Sequence, residues 1–340
     1  MTKRPFIIPV FLPQMGCPHQ CVFCNQNAIT GITSRHLSSE KVSEIIIDFL
    51  KYRKDTDNNA QIAFYGGNFL GLKKDYIKLL LIEASKFIAA KKVDSIRFST
   101  RPDTIDDQIL DYIEKFSIST IEIGVQSMDD TVLLKSKRGH RAKDTVKAFD
   151  LLKKRNYITG AQMMVGLPHD DEETAIKTAE KIAALAPDFV RIYPTLVFSG
   201  SILASWYKKG VYVPMDLWDS VSLVKKIYLL FKKKGIRVIR MGLQATRDLD
   251  AKAAVLAGPY HPSFGHLVLS DIFLDRVISA VKAEKKLSEE LVIKVHSKNI
   301  SRMQGLKKRN VEILKKKFNF KTIRIIQDTS LGIDECHVVS

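Results

Sequence analysis

Three cysteines stand close together near the start of the chain, in the stretch Gly16-Cys-Pro-His-Gln-Cys-Val-Phe-Cys24. Three residues separate Cys17 from Cys21 and two separate Cys21 from Cys24, so one loop can direct three thiolates at one compact centre. Cysteines that cross-link a secreted protein are spread along the chain, whereas a tight cluster in a large chain indicates metal or redox chemistry. The loop therefore predicts a metal centre.

Two kinds of centre suit this loop. A structural zinc site usually takes four ligands in two close pairs; the chain has no second Cys-x-x-Cys, although His19 within the loop could serve as a fourth ligand. Cysteine thiolates also hold 4Fe-4S clusters, and three of them leave one iron free to bind a small molecule. The fourth cysteine, Cys336, lies near the end of the chain, and we expect it to be an ordinary buried side chain.

Short apolar runs alternate along the chain with amphipathic, lysine-rich segments, which is the pattern of successive βα units around a parallel sheet. The predicted strands are Phe6–Phe11, Gln61–Tyr65, Ser95–Ser99, Thr120–Val125, Thr159–Val165, Phe189–Tyr193 and, as a further strand, Ile236–Met241. The predicted helices are Ser39–Lys51, Asp75–Ala90, Asp106–Lys115, Arg141–Arg155, Glu172–Leu185 and Asp216–Lys234.

Six such units predict an α/β fold in the form of an open, partial (βα)6 barrel. In parallel βα architectures the chemistry collects at the carboxyl ends of the strands, and the cysteine loop directly follows the first predicted strand. We expect three parts: a barrel core over residues 1–245, a loop and helix extension packed on it over 246–284, and a small basic α/β domain over 285–340.

The chain is strongly basic, since 54 Lys and Arg against 37 Asp and Glu give a net charge of +17. Such an imbalance favours a polyanionic partner, nucleic acid above all, although solvated lysine-rich faces produce the same count. The first apolar run is broken by Pro9 and Pro13, and no later segment approaches the roughly 20 apolar residues of a membrane span. We therefore expect a cytoplasmic protein without a membrane partner.

The cysteine loop resembles the signature of the radical S-adenosylmethionine (SAM) superfamily, Cys-x-x-x-Cys-x-aromatic-Cys after the first strand, with Phe23 in the aromatic position. The resemblance implies a partial barrel of the radical SAM type. It also implies a 4Fe-4S cluster on Cys17, Cys21 and Cys24, S-adenosyl-L-methionine bound at the open iron, and an external electron donor such as ferredoxin or flavodoxin.

Further motifs that resemble those of the family follow the later strands in order. Phe64-Tyr-Gly-Gly-Asn68 matches the glycine pair beside the methionine part of SAM, where only Gly lets the backbone come so close. The matching segments after it are Ser99-Thr-Arg-Pro-Asp103, Gly124-Val-Gln-Ser127, Lys137-Arg-Gly-His140 and Met163-Met-Val-Gly-Leu-Pro168. The resemblance implies these cofactor-binding residues: Phe23, Tyr65, Gly66, Gly67, Asn68, Ser99, Thr100, Arg101, Gln126, Arg138 and Gln162.

Two of these residues have a specific implied contact, and three depart from the family pattern. The resemblance implies that Gln126 faces the ribose of SAM and that Arg138 pairs with the carboxylate of SAM. Relatives often place a carboxylate where this chain has a neutral side chain, at Asn68, Ser99 and Gln162. Amide and hydroxyl contacts therefore replace charged ones here.

The segments Val190-Arg-Ile-Tyr-Pro-Thr-Leu-Val197 and Trp206-Tyr-Lys-Lys-Gly210 resemble the catalytic subunit of elongator, and the Gly-Val-Gln-Ser segment is shared with oxygen-independent coproporphyrinogen oxidases. Nothing after residue 245 has the length of the acetyltransferase domain that completes the elongator enzyme. Transfer of an acetyl-derived group by that route is therefore not expected.

The basic end of the chain resembles the helix, turn, helix and strand of a KH domain, whose Gly-x-x-Gly turn clamps nucleic-acid backbone. Gly305 is kept, and Lys308 stands in place of the second glycine. This interpretation predicts phosphate contacts, and affinity that falls steeply with salt, at Lys307, Lys308, Arg309 and Lys315. The other interpretation is a small basic α/β cap with a solvated lysine face.

Three functions are open at this point. The leading hypothesis is a radical SAM enzyme that cleaves SAM reductively, generates a 5′-deoxyadenosyl radical and modifies RNA, in particular tRNA. The second keeps this chemistry for a small metabolite or cofactor precursor. The third is a cluster-containing protein that binds or senses RNA without turnover, which the neutral side chains at Asn68, Ser99 and Gln162 support.

Overall fold

The computed structural model describes residues 5–26, 36–54, 59–243, 254–284 and 288–339. The strands of the larger part are β1 (Phe6–Phe11), β2 (Ala60–Tyr65), β3 (Ser95–Thr100), β4 (Ile118–Gln126), β5 (Ile158–Val165), β6 (Phe189–Pro194), β7 (Val197–Phe198), β8 (Arg237–Met241) and β9 (Val255–Ala257). Seven of them form a parallel sheet in the order β1-β2-β3-β4-β5-β6-β8, while β7 and β9 pair separately.

This sheet is the predicted partial barrel, extended by one strand. Its order follows the chain, β1 and β8 lie at opposite edges, and every pairing between neighbours is parallel. The predicted further strand at Ile236–Met241 is found as β8 and pairs with β6, so the open sheet has seven strands rather than six. Because the strands are parallel, their carboxyl ends meet at one edge, where the connecting loops can build a site.

Helices on the outer face join successive strands. They are α1 (Ser39–Leu50), α2 (Lys74–Ala89), α3 (Asp107–Ile113), α4 (Asp130–Lys135), α5 (Ala142–Lys154), α6 (Glu172–Ala184), α7 (Ile202–Lys208), α8 (Leu217–Lys233) and α9 (Phe264–Ala283). Several begin at a side chain that accepts a backbone N–H bond, as Ser38, Asp106 and Asp171 do. These caps fix where each helix starts relative to the strand before it.

A second, smaller sheet follows α9. It consists of β10 (Glu290–Val295), β11 (Thr322–Gln327) and β12 (Cys336–Val339), with β10 in the centre, parallel to β11 and antiparallel to β12. Two short helices, α10 (Ile300–Gln304) and α11 (Arg309–Phe318), connect β10 to β11. The predicted order of helix, turn, helix and strand is present, and Cys336 is half-buried against the core of this unit.

The helix α9 contributes to two hydrophobic cores. Its first half, including Phe264 and Leu267, packs in the large core of the barrel. Its second half, including Phe273 and Val277, packs in the core of the small sheet. The predicted boundary after residue 245 lies outside the described residues. Of the predicted 246–284 extension the structure describes residues 254–284, which include β9 and α9.

Across the part of the chain that the structure describes, none of the helices combines the length and the apolar character needed to cross a bilayer.

Candidate active site

The cysteine loop follows β1 and is held by backbone hydrogen bonds to two distant segments. The Val22 amide donates to the Ser136 carbonyl (3.0 Å), and the Leu203 amide donates to the Val22 carbonyl (2.8 Å). Val22 itself is fully buried between Val197 and Leu203. A fixed loop of this kind holds the cysteines in place without needing a disulfide.

A cavity of about 1360 Å³ opens at the carboxyl ends of the strands, and the cysteine loop forms part of its wall. The structure brings to this cavity the three predicted metal ligands and all but one of the predicted cofactor-binding residues. Those that line it are Cys17, Cys21, Cys24, Phe23, Tyr65, Gly66, Gly67, Ser99, Thr100, Arg101, Gln126, Arg138 and Gln162. Residues from five strands and their loops therefore converge on one space.

Asn68 is the predicted residue that does not line the cavity. Its side chain is fully buried, and its amide group donates to the Gly16 carbonyl at 2.8 Å. Its carbonyl oxygen accepts from the Thr100 hydroxyl, the Arg101 amide and the Thr104 hydroxyl at 2.7 to 2.9 Å. The predicted contact between Asn68 and the cofactor is not supported by this placement, because all its polar atoms join the cysteine loop to the end of β3.

Two of the three thiols accept hydrogen bonds from polar side chains. Arg138, only 6% exposed, donates from Nη1 to Cys21 Sγ (3.4 Å) and from Nη2 to the Gly124 carbonyl (2.8 Å). Gln26 donates to Cys24 Sγ (3.8 Å). The structure thus places the Arg138 guanidinium beside a sulfur atom, whereas the resemblance implied a contact with the cofactor carboxylate.

The thiols also interact electrostatically with one another. Burial first, and then the neighbouring Cys21 and Cys17, raise the pKa of the Cys24 thiol to about 12. A group of thiolates that repel one another in a poorly solvated place needs a cation, because the charged forms are otherwise unfavourable. Among the described residues, no three His, Cys, Asp or Glu side chains are arranged as a metal-binding group.

The remaining lining includes a glycine pair and buried guanidinium groups. Gly66 has a φ of +90°, and a Cβ atom on Gly67 would lie 2.5 Å from the Met15 carbonyl oxygen, so both positions require glycine. Among the described residues, the buried nitrogens Arg101 Nη1 and Arg138 Nε in this lining have no hydrogen-bond partner. Because buried polar atoms are normally paired, these two point to a ligand with acceptor groups. The three thiols and this lining fit a 4Fe-4S cluster and SAM.

A buried carboxylate below the cofactor-binding residues was not predicted from the sequence. Glu122 on β4 is fully buried and accepts hydrogen bonds from Tyr65 (2.7 Å), Arg97 (3.1 Å), Gln162 (3.0 Å) and Arg191 (3.1 Å). Burial would raise the pKa of Glu122, but Arg191 and Arg97 outweigh it and hold the pKa below its usual value. The signal in the sequence is a lone acidic residue in the middle of an apolar strand.

The predicted nucleic-acid contacts lie outside the cavity, on the turn between α10 and α11. Lys307 and Lys308 are exposed and have left-handed backbone, with φ of +50° and +63°, after Gly305 at +75°. Arg309 is engaged elsewhere: it lies 3.6 Å from the centre of the Trp218 ring and 3.5 Å from an oxygen of Asp271. Lys315 is half-buried in α11.

The contact with Trp218 shows where this basic turn sits. Trp218 belongs to the first turn of α8, and helices of a βα barrel begin on the side where the strands end. Nearby, a Cβ atom placed on Gly166, which directly follows β5, would lie 3.7 Å from the Met215 side chain. The basic turn therefore lies on the side of the barrel that carries the mouth of the cavity.

An open parallel barrel with a cavity at its strand ends, and three cysteines after its first strand, has the architecture of an α/β enzyme. Residues 11–182 match the family model of the Radical SAM superfamily, and residues 187–272 match that of the Radical_SAM C-terminal domain. The chain belongs to the radical SAM superfamily, whose members are enzymes. The predicted family and fold class are confirmed, and membership implies a 4Fe-4S cluster and SAM.

Two curated relatives come from Methanocaldococcus jannaschii. An uncharacterized protein is 30% identical over 238 residues, which cover 65% of this chain and 70% of the relative. A tRNA uridine(34) acetyltransferase is 25% identical over 300 residues, which cover 77% of this chain and 54% of the relative. This chain thus spans about half the length of the acetyltransferase that it matches.

Solved structures share the fold. The archaeal Methanocaldococcus infernus Elp3 with an N-terminal deletion gives a TM-score of 0.63 at 23% identity, covering 80% of this chain and 63% of that chain. The coproporphyrinogen III oxidase of Escherichia coli gives a TM-score of 0.50 at 18% identity, covering 69% of this chain and 54% of that chain. Both of the enzymes that the sequence resembles therefore have the same partial barrel.

Proposed function

We propose that this protein is a radical SAM enzyme that holds a 4Fe-4S cluster on Cys17, Cys21 and Cys24, cleaves SAM reductively, and modifies RNA, with tRNA as the first candidate. The observation that carries the proposal is the shared cavity: the three thiols, the glycine pair and the guanidinium groups of Arg101 and Arg138 line one space. When bound, the reduced cluster and SAM supply a one-electron cleavage that yields methionine and a 5′-deoxyadenosyl radical.

The side chains of this protein bind, orient and shield in that reaction. The Gly66-Gly67 backbone would face the methionine part of SAM and Gln126 at the end of β4 would face its ribose, since all three residues line the cavity. Arg138 adds positive charge beside the cluster thiolates. The walls of the cavity keep water from the reacting atoms, which is the part that a protein plays in cofactor chemistry.

The test of SAM cleavage is direct. The protein is reconstituted anaerobically with iron and sulfide, reduced with dithionite or with a flavodoxin system, and given SAM. We expect 5′-deoxyadenosine and methionine in equal amounts. No 5′-deoxyadenosine from protein that contains the full cluster would refute the enzymatic proposal and would leave a protein that binds or senses RNA without turnover.

Support for RNA comes from charge, from position and from the relatives. The net charge of +17 favours a polyanion, and the exposed Lys307 and Lys308 lie on the side of the barrel that carries the cavity mouth. The curated relatives include a tRNA uridine(34) acetyltransferase. The proposal therefore has the protein act on RNA; it also takes the cytoplasm as the location and, as membership of the superfamily suggests, ferredoxin or flavodoxin as the electron donor.

Replacing both Lys307 and Lys308 by Gln is expected to weaken tRNA binding about tenfold or more at moderate salt. Each lost phosphate contact also reduces the slope of log K against log salt by roughly 0.7 to 0.9. The measurement is filter binding or fluorescence anisotropy over a series of KCl concentrations. The control is Lys147→Gln, an exposed lysine on α5; equal slopes for the double variant and this control would remove the basic turn from the RNA-binding surface.

Replacing Arg138 by Met is expected to lower the reduction potential of the cluster by on the order of 50 mV. For a one-electron couple, about 59 mV corresponds to a tenfold change in the equilibrium constant. The reason is that a cationic hydrogen-bond donor at Cys21 Sγ stabilises the more negative, reduced state. The measurement is a potentiometric titration followed by EPR, carried out without SAM. An unchanged potential in SAM-free protein, with weaker SAM binding, would assign Arg138 to the cofactor carboxylate alone.

A further inference from the structure

The main cavity is lined by cations and, among the described residues, by no acidic side chain. Its basic residues are Lys73, Arg101, Arg138, Arg191 and Arg240. Two of them form ion pairs with carboxylates that do not line the cavity. Asp103 lies 2.8 Å from Arg101, and Glu122 lies 2.9 Å from Arg191. The wall of the cavity therefore has surplus positive charge, which favours anionic ligands.

Two of these arginines lie side by side. Arg191 on β6 and Arg240 on β8 are direct register partners in the parallel sheet, so their Cα atoms are neighbours across adjacent strands. Both side chains reach the same cavity. Two neighbouring guanidinium groups on one wall repel each other unless something negative lies between or above them.

Only Arg191 has a compensating charge in the part of the chain that is described. Glu122 pairs with Arg191, but it also pairs with Arg97 at 2.5 Å, so one carboxylate serves two guanidinium groups. Arg240 has no ion pair or side-chain hydrogen bond to any described residue, although it is partly buried. The Arg240 guanidinium, partly exposed to the cavity, is therefore available to bind an acceptor group.

The surroundings of the pair would accommodate an organic molecule. Leu196, Phe198 and Leu243 line the cavity close by in the chain and form an apolar wall. The pair itself belongs to the edge of the sheet opposite β1, which carries the cysteine loop. Arg191 adjoins the predicted cofactor-binding residues, since it donates a hydrogen bond to the Tyr65 hydroxyl at 3.0 Å, whereas Arg240 lies one strand further from them, on β8.

We propose that Arg240, together with Arg191, forms a subsite for an anionic group of the second substrate. The ligand is an organic molecule that ends in a carboxylate or a phosphate, because the fork of a guanidinium group binds either with two parallel hydrogen bonds. Its body packs on the apolar wall. The proposal rests on the proposed function in one respect only, namely that a second substrate enters this cavity.

The test is isothermal titration of the reconstituted full chain with two matched pairs of probes at constant ionic strength. Butyrate differs from butyramide in one negative charge, and uridine 5′-monophosphate differs from uridine in a phosphate that carries about −1.5 to −2 charges at pH 7. We expect at least one anion to bind saturably and its neutral counterpart at least tenfold more weakly. Saturation by butyrate assigns the subsite to a carboxylate, and saturation by the nucleotide assigns it to a phosphate.

Three variants link this binding to Arg240. Arg240→Gln is expected to weaken binding of the anion at least tenfold, whereas Arg240→Lys, which keeps the charge without the fork, gives an intermediate loss. Arg237→Gln is the matched control, because Arg237 is an exposed residue of the same strand. Thermal unfolding of each variant checks that it is folded. If Arg240→Gln does not fold, the comparison of Arg240→Lys with the parent still tests the subsite.

Two results would overturn the subsite: equal binding of an anion and its neutral counterpart by the parent protein, or equal binding of the anion by Arg240→Gln and the parent. Formation of 5′-deoxyadenosine by the parent is measured separately. A parent that cleaves SAM but binds neither anion refutes the subsite and leaves the proposed function intact. A parent that binds an anion through Arg240 without cleaving SAM refutes the proposed function instead.

Discussion

Serine in place of Cys21 is expected to leave the reconstituted protein with little iron or sulfide and without measurable 5′-deoxyadenosine. The cluster needs the three thiolates of one loop, and Cys21 is the most buried of them and accepts the hydrogen bond from Arg138. A hydroxyl group at this position is a poor iron ligand because clusters are held by thiolates. Iron, acid-labile sulfide and product are measured on the same anaerobic preparation.

The control for this variant is Cys336→Ser. Cys336 is half-buried in the small sheet, far along the chain from the cysteine loop, and is expected to keep the full iron content and product yield. Stoichiometric zinc without iron or sulfide in the anaerobically purified parent would contradict the cluster and would favour the alternative of a zinc site with His19 as the fourth ligand.

Replacing Glu122 by Gln is expected to lower the free energy of unfolding by about 3–5 kcal/mol, the usual cost of removing one partner from a buried ion pair. The variant leaves Arg97 and Arg191 without their shared carboxylate in a buried place. The measurement is urea unfolding followed by circular dichroism. Glu44→Gln is the control, since Glu44 pairs with Lys41 at an exposed surface where such pairs contribute little; an equal loss in both variants would contradict the prediction.

The same carboxylate predicts a dependence on pH. Because its pKa is lower in the folded than in the unfolded protein, its contribution to stability is fully present above the unfolded value near 4.5. The contribution is lost as the pH falls through the lower, folded pKa. We therefore expect the stability difference between the parent and Glu122→Gln to be constant from pH 6 to 8 and to shrink in acid, measured by urea unfolding at each pH.

Much of the fold was predictable because each strand is a short, nearly continuous apolar run between turn residues. The predicted Phe6–Phe11 and Thr159–Val165 agree with β1 and β5 to within one residue. The pairing of Ile236–Met241 with β6 was not predicted, because a single apolar run in the sequence does not determine which edge of the sheet the strand joins. The positions of the cysteines and of the glycine pair followed from the order of the strands alone.

The side-chain contacts inside the barrel were not predictable in the same way. Glu122 lies in an apolar run, and its four partners come from four other strands, so its function depends on register across the sheet. A bulge between Gly124 and Gln126 shifts that register and gives Gln126 a φ of +65°. The direction of the Asn68 side chain was not predictable for a related reason, because the motif fixes the position of Asn68 in the chain but not the residues that its amide group contacts.

The helix α9 ties the small sheet to the barrel, because it packs in both hydrophobic cores. An element that belongs to two cores opens only when both loosen, so the two units are expected to exchange their amide protons as one cooperative block. The distance and angle between the basic turn and the cavity mouth are then constant. In the proposed function, an RNA bound at Lys307 and Lys308 would reach the mouth with a fixed number of nucleotides in between, so the small sheet would determine which nucleotide enters the cavity.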